Sequence, residues 1–106
     1  MNYQESKKNV AITLFVMAYD ASKALEREGC VKVVTGRMGD YACLSVYSKK
    51  EELDINGIID RYEDSIMDDL IKNNTNVNIY NSLEIVSKYI NVDTFKKEIM
   101  KLMGRN

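Results

Sequence analysis

Histidine, tryptophan and proline do not occur in this chain. Without histidine it lacks the side chain that most readily moves protons near neutral pH and the commonest zinc ligand, which excludes histidine-based triads and histidine zinc sites. Cysteine is scarce, and two residues, Cys30 and Cys43, exclude a disulfide framework or an all-cysteine zinc site. Both are expected on the arms of one hairpin. With its turn centred near Met38, Cys30 faces a residue near Val46 and Cys43 one near Val33, so the sulfurs are not natural partners. Two reduced thiols suit a cytoplasmic protein, and neither has a histidine to activate it.

Long apolar runs are also missing. The most hydrophobic segment, Val10 to Tyr19, follows Lys7 and Lys8 and is too short to span a bilayer. Asp20, Lys23, Glu26, Arg27 and Glu28 then continue a helical pattern where a signal peptide would place small residues for cleavage. The segment is expected to be a core helix, with no membrane association.

What is present describes a small folded domain. A chain of 106 residues forms one domain, 1–106, and 45% hydrophobic with 29% charged residues argues against disorder. Asparagine, lysine, isoleucine and tyrosine are plentiful, and their A- and T-rich codons point to an AT-rich bacterium, its phage or another mobile element. The net charge of -1 hides a segregation. Residues 1–50 carry +3, residues 51–70 carry -7 and residues 71–106 carry +3.

Periodicity sets the expected elements. A first helix runs from about Tyr3 to Glu28, with Val10, Leu14, Met17, Ala21 and Ala24 on its apolar face and Ile12, Phe15, Val16 and Tyr19 broadening it. Gly29 ends it. Cys30–Thr35 and Tyr41–Ser48 form a hairpin around the turn-rich Gly36–Asp40, with Ala42, Leu44 and Val46 on one side of its second arm. Asp54 caps a helix that frays at Asn73 and Asn74, and 76–80 is either a short third strand or a loop. Ser82 is expected to cap a brief helix carrying Leu83, Val86, Tyr89 and Ile90. Asp93 is expected to open a last one carrying Phe95, Ile99, Leu102 and Met103. The fold class is α+β: a long N-terminal helix, a β-hairpin with a possible third strand, then three helices.

The middle helix carries two stripes. Ile55, Ile58, Ile59, Tyr62, Ile66 and Leu70 recur at spacings of three and four, while Asp60, Asp64 and Asp68 climb an adjacent face every fourth residue. Glu63 and Asp69 widen the acidic line. Like charges at i and i+4 repel by a few tenths of a kcal/mol per pair, roughly, and only Lys72, four after Asp68, relieves them. The expectation drawn from the arrangement is a basic partner meeting this face, the alternative being a merely solvated face. Arg37 and Met38 at the hairpin tip stand where they can reach into that partner.

Residues 52–63, Glu52-Leu53-Asp54-Ile55-Asn56-Gly57-Ile58-Ile59-Asp60-Arg61-Tyr62-Glu63, resemble the calcium loop of the EF-hand family. Oxygen ligands stand at its third, fifth, ninth and twelfth positions, glycine at the sixth and an aliphatic residue at the eighth. The resemblance implies a calcium site there. It departs from the family in having Glu52 first, where aspartate is usual, and in following a strand where a helix should enter. Gly36-Arg37-Met38-Gly39 lacks the Lys-Ser/Thr of a phosphate-binding loop and reads as a turn. Lys96, Lys97, Lys101 and Arg105 give the last helix a basic side. Phosphate binding usually needs a larger positive excess, and the acidic helix opposes it, so nucleic acid is not the expected partner.

The expected function is therefore a non-enzymatic interaction module with no cofactor and no metal. It binds a basic protein partner stoichiometrically, as inhibitors, immunity proteins, regulators and phage anti-defence proteins do. The alternatives are a nucleic-acid-associated regulator and a calcium protein. A homodimer through the hairpin or an exposed apolar helix is also expected, because a lone hairpin leaves an edge and a semi-apolar face to cover.

Overall fold

The computed structural model describes residues 1–104, arranged as an α+β fold in which one long helix organises the rest. That helix, α1 (Tyr3–Arg27), starts where the Asn2 side chain accepts the Glu5 N–H at 3.1 Å. Gly29, at φ +78°, turns the chain out of it through the left-handed conformation that glycine tolerates. Strands β1 (Lys32–Met38), β2 (Tyr41–Ser48) and β3 (Glu51–Glu52) follow as an antiparallel sheet in the order β1-β2-β3. Helices α2 (Ile55–Lys72), α3 (Ser82–Val86) and α4 (Val92–Leu102) complete the chain.

The hairpin turn lies at Gly39–Asp40, not at Met38. Gly39 alone of the turn-rich stretch takes a positive φ, +65°, and Met38 pairs with Tyr41 across a two-residue loop. Gly36 is strand, opposite Cys43, and Val33 faces Val46. Cys30 precedes the strand altogether. The third strand is Glu51–Glu52, folded back on Tyr47 and Ser48, while 76–80 is a loop.

The later helix starts also shift. Asn81 stands at the start of α3 with Ser82 already helical, and α4 is capped by Asn91, which accepts the Thr94 N–H at 2.8 Å. Asp93 sits in the first turn of α4, where its charge suits the helix dipole.

α1 packs against α2, α3, α4 and β1. Val10, Leu14, Met17, Ala21 and Leu25 point from it into a core shared with Ile55, Ile58, Ile59 and Ile66 of α2, Phe95 and Ile99 of α4, and Leu44 and Val46 of β2. Tyr62 packs on the rim, its ring centroid 6.4 Å from that of Phe95. Three residues expected to broaden the core do not. Ile12, Val16 and Tyr19 are exposed because they lie on the side of α1 turned away from the core, and no second layer covers it among the described residues.

Side-chain amides and hydroxyls fasten the loop after α2 to the start of α1. The Asn2 N–H donates to Asn76 Oδ1 at 2.6 Å, Asn9 Nδ2 to the Val77 carbonyl at 3.2 Å, and the Val77 N–H to the buried Ser6 Oγ at 2.9 Å. Within the loop, Asn78 and Asn81 accept each other's backbone N–H groups at 2.8 and 3.0 Å. Asparagine does here what proline and secondary structure do elsewhere, holding irregular backbone by local hydrogen bonds.

Candidate functional site

The acidic helix begins at a tight cap. The Gly57 N–H donates to Asp54 Oδ1 at 2.9 Å, and the Asp54 carboxylate occupies the space that a β-carbon on residue 57 would enter. From there Asp60, Asp64 and Asp68 are exposed along one line, and none forms an ion pair among the described residues. Lys72 makes no ion pair with Asp68. Ile71, 53% exposed, stands beyond Asp68 on the same helix.

The structure divides the acidic set. Glu63 turns to α1, where Lys7 Nζ lies 3.7 Å away, and only 15% of its side chain is exposed. Asp69 is exposed and lies beside Tyr89, whose hydroxyl is pushed above its usual pKa by burial and by that carboxylate. Arg61, which the sequence places among the carboxylates, reaches across to Glu98 at 2.8 Å with its guanidinium over the Tyr62 ring. An unpaired row of three carboxylates remains.

Arg37 and Met38 are exposed at the hairpin tip, Met38 by 73%, but they do not join this row. The tip leans over α1: Asp40, Tyr41 and Ala42 face Lys8, Ala11, Ile12 and Phe15 across a hollow of about 550 Å³. On the other flank of Ile12, a second groove of about 390 Å³ runs between α1 and the α3–α4 segment, lined by Val16, Asp20, Leu83 and Val92 among others. Sequence reasoning missed this surface. Apolar periodicity marks Ile12 and Val16 as buried, and the chain carries no local signal that one apolar face stays uncovered.

The other sequence candidates are largely engaged. Residues 55–63 of the calcium-loop resemblance are helix, its entering segment is strand, and Asp54 is held by its cap. Glu52, Asp54 and Asn56 line a shallow hollow, but among the described residues no three histidine, cysteine or acidic groups gather as metal ligands. On α4, Lys96 pairs with Glu28 at 3.2 Å and Lys101 with Glu98 at 3.8 Å, while Lys97 is exposed. Arg105 lies outside the described residues. Cys30 and Cys43 are not bridged. No described helix is long and apolar enough to cross a membrane. Comparison with protein families, curated proteins and solved structures finds no match to this chain.

Proposed function

We propose that this chain is a non-enzymatic, protein-binding module that acts stoichiometrically by laying the Asp60, Asp64 and Asp68 row of α2 on a basic protein surface. Inhibitors, immunity proteins and regulators from bacteria or phage work in this manner. The observation that carries the reading is that these three carboxylates form an exposed row at intervals of four with no ion pair among the described residues, while Glu63 turns to Lys7 and Asp69, also exposed, lies beside Tyr89. Repulsion along such a row costs stability, and a basic partner removes that cost on binding. The nucleic-acid reading is weaker, because two lysines of the basic helix already have carboxylate partners.

The test compares proteins captured from a host lysate at low ionic strength by the wild type and by an Asp64→Lys/Asp68→Lys variant. The reading expects a capture that salt abolishes and the variant lacks, and an association rate with the purified partner that falls by about tenfold or more. The same proteins bound at the same rate by both forms would overturn it. Salt-sensitive retention on double-stranded DNA, unaltered by the substitutions, would favour the nucleic-acid alternative.

A further inference from the structure

The outer side of α1 carries a row that is complementary to itself. Lys8, Ile12, Val16 and Asp20 follow one another at intervals of four, all exposed, so they form a single ridge with a cation at one end, two aliphatic residues in the middle and a carboxylate at the other. Ile12 is 51% and Val16 50% exposed. Neither Lys8 nor Asp20 has an ion-pair partner among the described residues. The two charges stand about 18 Å apart along the axis, twelve residues at about 1.5 Å each. A groove runs along each side of the ridge, one closed by Tyr41 and the other by Leu83.

We infer that the occupant of this ridge is a second copy of the chain, packed antiparallel about a two-fold axis passing between Ile12 and Val16. A ridge of i±4 residues is inclined by about 26° to its helix, so two copies align their ridges when the helices cross at about 50°, a common packing class. In that arrangement Ile12 meets the partner's Val16, and Lys8 meets the partner's Asp20 twice, once on each side of the axis. A parallel pairing would instead set lysine against lysine. The flanking grooves receive the partner's side chains, and Tyr41 and Leu83, 79% and 64% exposed, are placed to close the edges. So short a ridge buries little area, which sets the expected dissociation constant in the range of about tens of micromolar. The inference concerns α1 and stands apart from the carboxylate row of α2.

Sedimentation equilibrium over about 1 to 100 µM tests it. The wild type is expected to dimerise, and Val16→Asp to raise the dissociation constant by about tenfold or more. Lys8→Asp alone and Asp20→Lys alone each place like charges opposite each other at both symmetric contacts, so each is expected to be monomeric over this range. Mixed in equal amounts, these two variants should form a heterodimer, because every contact then pairs opposite charges, and the double variant Lys8→Asp/Asp20→Lys should dimerise like the wild type. The substituted positions are exposed, and circular dichroism of each variant checks that the fold is kept. A wild type that stays monomeric at about 100 µM, or single variants that fail to assemble on mixing while the wild type dimerises, would overturn the inference.

Discussion

The Asp54 carboxylate sits where a β-carbon on Gly57 would have to go, while its Oδ1 accepts the Gly57 N–H at 2.9 Å. Gly57 has no positive φ, so its freedom of backbone is not what the site uses; the missing side chain is. Gly57→Ala should gain helix preference of about 1 kcal/mol and lose a cap of about the same worth, leaving stability unchanged within about 0.5 kcal/mol. In an Asp54→Ala background no cap is left to lose. There the same substitution should stabilise by about 0.5 to 1 kcal/mol, and chemical denaturation of the four forms measures that coupling.

Ser6 is wholly buried, and its Oγ accepts the Val77 N–H. Ser6→Ala keeps the helix and the volume nearly constant but strands that buried donor. The expected loss is about 1 to 3 kcal/mol, with faster amide exchange at Val77. A loss below about 0.5 kcal/mol would show that the loop is held by its asparagines alone.

Glu26 ties the end of α1 to the sheet, its Oε2 accepting the Val33 N–H at 2.7 Å and its Oε1 accepting from Lys23 at 2.6 Å. The Lys23 hydrogen bond, then that from Val33, holds the Glu26 carboxyl below its usual range, and the Glu26 contact holds Lys23 above its own. A depressed carboxyl contributes stability above its unfolded value of about 4.3 and loses it as pH falls through the folded value. A raised lysine contributes below its unfolded value and loses it as pH rises through the folded one. Thermal unfolding should therefore separate wild type from Glu26→Gln at pH 7, and the difference should vanish in acid.

Two isoleucines of α2 check its register. Ile66→Ala, at a position with no exposed surface, should cost about 2 to 5 kcal/mol, whereas Ile71→Ala, half exposed, should change stability by less than about 0.5 kcal/mol. Comparable losses at both sites would mean that Ile71 is covered in solution.

Residues with strong local signals were legible in the sequence. Gly29 marks the end of α1 to within a residue, and the three-and-four spacing of Ile55, Ile58, Ile59 and Ile66 identifies the buried side of α2, because a helix has one period to satisfy. The two-residue strand Glu51–Glu52 was not legible. It has no apolar alternation, and its pairing follows from the turn at Lys49, which takes φ +59° without being glycine. The hairpin register was displaced because Gly36 and Gly39 are both eligible turn residues, and only tertiary context decides between them. At the site, exposure of Asp60, Asp64 and Asp68 follows from periodicity. The diversion of Glu63 to Lys7 depends on a residue 56 positions earlier, which no window along the chain can see.

The polar clasp between α1 and the loop after α2 joins positions 71 apart, Ser6 and Val77. Contacts so distant along the chain form only after a large loop has closed, whereas the helices and the hairpin assemble from near neighbours. The clasp therefore belongs late in folding, and weakening it should accelerate unfolding while leaving the refolding rate nearly untouched. With no proline in the chain, refolding also has no prolyl isomerisation to wait for. Ser6→Ala should therefore shorten the lifetime of the native state without slowing its formation.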